Sequence, residues 1–118
     1  MTLPIPTEAV ESRNLMHYMR LKRLKFTHIK NETGRAYASG KLRNSRAFWG
    51  AVDGVSPGFP DFLVIVNNKL IAIEMKRQKG GTATPKQMTW LYSLESAGVP
   101  ARVCRGADEA IAFIEEYL

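Results

Sequence analysis

The amino-acid sequence predicts an α/β sandwich around a mixed sheet, with helices flanking the sheet. FLVIV and KLIAI, at 62–66 and 69–73, are β-branched and aliphatic runs free of Gly and Pro, joined by Asn67-Asn68. Asn tolerates the positive φ of a tight hairpin turn, so the pair reads as two antiparallel strands. Ahead of it, Val10, Leu15, Tyr18, Met19 and Leu24 recur roughly at helical spacing. Behind it come helix-like, strand-like and helix-like segments, an order that places helices on a sheet.

Each element has a local reason. Thr7 serves as the N-cap of a first helix running to about Lys25, and FTHI follows as a short strand ending at the turn-like KNETGR. Ser39 to Val52 reads as a basic helix carrying Leu42, Phe48 and Trp49. GVSPGFP is a turn that delivers the chain to Asp61, and KGGTAT is a flexible connection in which Gly80-Gly81 act as a hinge. Thr84-Pro85 opens a second long helix that ends before Gly98. A strand at about Ala101–Cys104 and a helix from about Ala107 complete one domain spanning residues 1–118.

The hairpin gathers charge at one end. With Asn67-Asn68 as the turn, Val66 faces Lys69, Ile65 meets Leu70, Leu63 meets Ala72 and Asp61 meets Glu74. Alternation puts Lys76 on the same face as both acids. Directly opposed carboxylates about 5 Å apart repel by roughly 3 kcal/mol at an effective dielectric near 20. Leu63, Ile65, Leu70 and Ala72 share that face while Phe62, Val64, Ile71 and Ile73 fill the other, so both faces are expected to be covered. A divalent cation turns the repulsion into coordination, because Mg²⁺ is held by one or two carboxylates plus waters and substrate phosphate. A plain Glu-Lys pair at an exposed strand end is the alternative.

Composition narrows the function classes. The 118 residues carry a net charge of +6, and nine of the seventeen basic residues lie between Arg20 and Arg46 with Glu32 as the one acid there. The closing ADEAIAFIEEYL holds four acids and no base. Such polarity suits a polyanion, with Lys30, Arg35, Lys41, Arg43 and Arg46 as candidate DNA contacts. No apolar run reaches membrane-spanning length and MTLPIPTEAVES lacks a signal-peptide core. The single Cys104 reads as a small buried residue, in keeping with a reducing cytoplasm.

Pro60-Asp61, twelve residues, then Glu74-Met75-Lys76 resembles the signature of the PD-(D/E)XK nuclease superfamily. FTHIKNE, GVSPGFPD, IEMKRQKGG, TPKQ and GVPARVCRGADEA are similar to its VRR-NUC branch in the single-domain form found in phage proteins. The likeness spans nearly the whole chain, loosely between Thr33 and Asp53. It implies a restriction-endonuclease-like fold and hydrolysis of DNA with Mg²⁺ or Mn²⁺, leaving 5′-phosphate and 3′-hydroxyl ends. Asp61 and Glu74 would bind the metal, with the Met75 carbonyl as a further ligand, and Lys76 would position the attacking water. The host-cell cytoplasm is the expected location for a phage-encoded copy.

The superfamily usually adds an acid from the first helix. Glu11 is favoured over Glu8: it shares a face with Leu15 and Tyr18, and Ala9-Val10-Glu11 matches a segment of archaeal Holliday-junction resolvases. Glu8 lies in the first turn, where the helix macrodipole alone favours a carboxylate. Glu32 is a third candidate, against an ordinary loop acid. Gln87 fits a capping box with Thr84 and is also a secondary site candidate. His17 and His28 suit packing, surface or phosphate contact, and Trp49 and Trp90 suit core or dimer contacts. Two functions stay open: a structure-selective endonuclease acting on branched DNA, or a non-catalytic DNA-binding module of the same fold. A homodimer is expected, partly through AFWGAV, because two matched cuts in a symmetric junction need two sites.

Overall fold

The structure is a computed structural model that describes residues 3–29 and 56–118. The expected basic helix at 39–52, the turn after FTHI and the AFWGAV segment lie outside the described residues. Helix α1 (Glu8–Leu21) leads to strand β1 (Lys25–His28), then β2 (Phe62–Val66), β3 (Lys69–Lys76), helix α2 (Pro85–Ser96), β4 (Ala101–Arg105) and helix α3 (Ala107–Glu115). The sheet order is β1-β2-β3-β4, antiparallel across β1, β2 and β3, and parallel between β3 and β4. Helix α2 is the crossover that the parallel pair requires. Among the described residues, no helix is long and apolar enough to cross a membrane.

Local chemistry sets the boundaries. Thr7 Oγ1 accepts from the Val10 N–H at 3.2 Å and so caps α1. The helix stops at Leu21, short of Lys25, because Arg23 takes a left-handed φ of 57° and the residues from Lys25 onward pair with β2. Asn67 and Asn68 have φ of 51° and 66°, and the register Val66↔Lys69, Ile65↔Leu70 and Leu63↔Ala72 follows from that turn. Thr84 and Gln87 form the reciprocal capping box at the start of α2.

The two faces of the sheet differ in depth. Phe62, Val64, Val66, Ile71, Ile73 and Met75 are fully buried with Leu15 and Met19 of α1 and Phe113 and Ile114 of α3. Full burial of one such side chain is worth about 1.5–3 kcal/mol, so this layer is the main core. On the opposite face Ala72, Leu91 and Ala101 form a smaller cluster with Leu63, Met88, Leu94, Val99 and Val103. Cover there is incomplete, contrary to the sequence expectation. The contacts of α2 run to β3 and β4, and Ile65 and Leu70 at the turn end stay 45% and 40% exposed.

The turn makes a direct test of this register. Asn68→Gly is expected to hold or raise the melting temperature. Asn68→Val forces a β-branched residue into the left-handed region and is expected to cost about 1–2 kcal/mol. Thermal denaturation followed by circular dichroism checks both, and equal melting of the two variants would contradict the turn geometry.

Candidate active site at the end of the hairpin

The segment entering Asp61 is seated by a glycine. Gly58 has φ of 88°, and a Cβ there would lie 2.8 Å from the Lys86 carbonyl carbon and 2.9 Å from the Gln87 nitrogen. Only glycine lets this backbone lie on the first turn of α2. Phe59 packs edge-on against Trp90 with ring centroids 4.9 Å apart, which gives Trp90 a packing role. Asp61 then joins three strands. Its carbonyl accepts from the Ile29 N–H at 2.6 Å, just past β1, and its Oδ2 accepts from the Met75 N–H of β3 at 2.8 Å. A carboxylate thus makes the rung that a carbonyl would otherwise supply.

Glu74, next in register after the Phe62↔Ile73 pair, is 2% exposed and its Oε1 has no hydrogen-bond partner. Burial pushes its carboxyl well above the usual carboxylate range, to about 9. Hydrogen bonding to Asp61 in the protonated form and repulsion by Asp61 add to the rise, and Lys76 opposes it. Two ionised carboxylates cannot bond each other, so a proton or a cation is needed between them. Glu8 feels this pair from the rim. It is exposed as a residue, yet its carboxyl is raised by partial desolvation and then by Asp61, again against Lys76.

The fold therefore brings Asp61, Glu74 and Lys76 together, with Glu8 in electrostatic contact with them. Glu11 is held elsewhere. It is buried, its Oε2 accepts from Gln78 Nε2 at 2.8 Å, and its Oε1 accepts from the Ala107 N–H at 3.3 Å. The reading that Glu11 shares the buried face with Leu15 holds, but that face meets the start of α3. Gln87 Oε1 is engaged with the Thr84 N–H at 2.8 Å, as the capping reading requires. The Met75 side chain is in the core and its N–H is on Asp61. His28 stacks on Phe62 at 4.4 Å. Cys104 is buried and its thiol is pushed up to about 12, first by desolvation and then by Glu109. Glu32, Lys30, Arg35, Lys41, Arg43 and Arg46 lie outside the described residues.

Sequence reasoning missed the Asp61–Met75 bond and the place of Glu11. The second had a signal. Helix α3 begins after Gly106, which offers no side-chain cap, so its first N–H groups need an acceptor from another element.

With this geometry in view, the VRR-NUC domain matches residues 8–108. The chain belongs to the VRR-NUC domain family. A solved structure described as a VRR_NUC domain protein is similar to it with a TM-score of 0.69 and 23% identity, over 97% of this chain and 89% of that one. No curated protein sequence matches the chain. Membership in the VRR-NUC family makes the role nuclease-type and DNA-related, and the similar structure carries the same α/β architecture. Among the described residues of this VRR-NUC domain, no three His, Cys, Asp or Glu side chains are grouped to hold a metal ion.

The acid pair makes stability depend on pH. Folded Glu74 keeps its proton more readily than the unfolded chain, so its contribution is fully present below its ordinary value of 4.5 and is lost as pH rises to about 9. The metal-free VRR-NUC domain is expected to melt at progressively lower temperature across that window. Glu74→Gln, neutral throughout, is expected to flatten the curve and to melt several degrees higher at its alkaline end, at roughly 4 °C per kcal/mol for a domain of this size. Parallel curves for the two proteins would show that the acid pair does not burden the fold.

Proposed function

We propose that this protein is a Mg²⁺- or Mn²⁺-dependent endonuclease that hydrolyses phosphodiester bonds in branched DNA, acting as a homodimer. The observation that carries it is the buried Glu74 with an unpartnered oxygen beside Asp61 and Lys76. Burying one carboxylate near another is unfavourable unless something positive arrives.

The donor set fits a hard cation. Asp61 and Glu74 offer oxygen ligands, the Met75 carbonyl is a further candidate, and Mg²⁺ accepts the remainder from water and phosphate. Two carboxylates suffice for that arrangement, so the absence of a three-acid group among the described residues is compatible with it. When bound, such an ion acts as a Lewis acid on the phosphate and lowers the pKa of a coordinated water. Lys76 would orient the attacking water and counter charge on the phosphate. Glu8, at the rim, is the helix acid in this reading and aligns solvent entering the site. Asp61 keeps β3 in register through Met75 while presenting its remaining lone pairs. Lys41, Arg43 and Arg46 are assigned to the DNA backbone, and a reducing cytoplasm suits the single buried Cys104.

Asp61→Asn and Glu74→Gln are expected to abolish cleavage while the fold survives, since both amides keep an acceptor oxygen. Lys76→Ala should weaken turnover far more than DNA binding. A metal titration on branched and linear DNAs measures all three, and full cleavage by either acid variant would remove that acid from the chemistry. DNA binding without cleavage in any metal would leave a binding module instead. Neutralising Lys41, Arg43 and Arg46 should flatten the salt dependence of binding by about 0.9 in log–log slope per lost duplex-phosphate contact.

A two-fold dimer supplies two sites with the symmetry of a four-way junction. Light scattering should therefore give a dimer, and strand-by-strand mapping should give two symmetric cuts in a labelled junction. A monomer that cuts linear duplex equally well would sink the junction preference and leave the nuclease reading in place.

A further inference from the structure

Strand ends fray unless something holds them, and Lys76 is the last residue of β3. Its carbonyl accepts from the Gly106 N–H at 3.0 Å. Gly106 has φ of 89°, and a Cβ built there would lie 2.7 Å from Glu11 Oε2 and 3.0 Å from Gln78 Cγ. The Glu11 carboxylate is thus pressed onto the residue that holds Lys76. Its Oε2 takes the Gln78 side chain, two residues past Lys76, and its Oε1 takes the Ala107 N–H, one residue past Gly106. On the far side of this lock, the Arg105 guanidinium donates to the carbonyls of Arg77, Gly80 and Gly81 at 3.2, 3.0 and 2.7 Å.

We propose that Glu11 is a positioning residue for Lys76, acting through Gly106 and Gln78, an assignment that rests on the nuclease reading. It touches neither Asp61 nor Glu74 in any bond described above. Its work is to stop the end of β3 from moving, so that the Lys76 ammonium keeps its place beside the acids. Gln78 is exposed, and removing its side chain costs little packing while cutting the link from Glu11 to the β3 exit.

The experiment compares Gln78→Ala, Glu11→Ala and Glu11→Gln in Mg²⁺-dependent cleavage of branched DNA, with amide hydrogen exchange at Gly106 measured on the metal-free protein. Gln78→Ala and Glu11→Ala are expected to lower kcat by about ten- to a hundredfold with KM within about twofold. Glu11→Gln should stay within about fivefold of wild type, because its amide accepts from Ala107 and donates to a reoriented Gln78 carbonyl. Glu11→Ala should speed exchange of the Gly106 amide by at least about tenfold. Should Glu11→Ala not fold, Gln78→Ala carries the same test of kcat. The proposal is overturned by a Gln78→Ala enzyme with wild-type kcat, by a Glu11→Gln enzyme as inactive as Asp61→Asn, or by unchanged Gly106 exchange. A wild-type protein that cuts no DNA would sink the nuclease reading, and the Gly106 exchange would still decide whether Glu11 holds the Lys76 carbonyl.

Discussion

The buried carboxylate of Glu74, opposed to Asp61, is the constraint on which the site and much of the sheet depend. Were both carboxyls ionised about 5 Å apart they would repel by roughly 3 kcal/mol at an effective dielectric near 20, and that repulsion adds to burial in raising the Glu74 carboxyl. One hydrogen bond to a charged acceptor returns roughly 1.5–3 kcal/mol, so the bond from Met75 to Asp61 is of the size needed to keep the pair together. The carbonyl of Asp61 is tied to Ile29 as well. With backbone and side chain both engaged, Asp61 cannot swing away to relieve the repulsion. The fold holds the two carboxyl groups close and leaves an oxygen of Glu74 without a partner.

The unequal layers of the sandwich explain where this tension is tolerated. The deep layer, built by α1 and α3 on Phe62, Val64, Ile71 and Ile73, supplies the stability of the domain. The acids stand at the end of the hairpin away from the Asn67-Asn68 turn, where the N-terminus of α1 arrives. Thr7 fixes where that helix begins, and so puts Glu8 in its first turn. There the helix macrodipole favours a negative charge, while desolvation and Asp61 resist it. A rim acid balanced in this way can remain near two others without ordering against them.

What was legible in the sequence was whatever local chemistry decides. Asn67-Asn68 sets a register that then dictates every pair up to Phe62↔Ile73, and Thr84-Pro85-Lys86-Gln87 spells its own cap. The mixed sheet and its flanking helices followed from element order. The choice between Glu8 and Glu11 was of another kind, because it depends on how α1 is rotated about its axis. That rotation is set by the burial of Leu15 and Met19 against the sheet and α3. Glu11, one turn before Leu15, was correctly read as facing inward. Its surroundings there are the uncapped start of α3, and no pattern within α1 carries that information. The partial exposure of Ile65 and Leu70 was hidden for the same reason, since it reflects how far α2 reaches across the sheet.

Two glutamates are buried among the described residues, and their surroundings differ. Glu11 has a donor for each oxygen and lies at a helix N-terminus, where oriented N–H groups favour negative charge. Nothing further is needed to keep it there. Glu74 has no donor on Oε1 and another acid beside it, and its carboxyl is driven up accordingly. Burial alone therefore does not mark a site: what distinguishes Glu74 is a cost that the protein leaves uncompensated. Lys76 lowers that cost without removing it. The balance that remains is met by a proton in the free protein, and under the function proposed above a cation would take that proton's place.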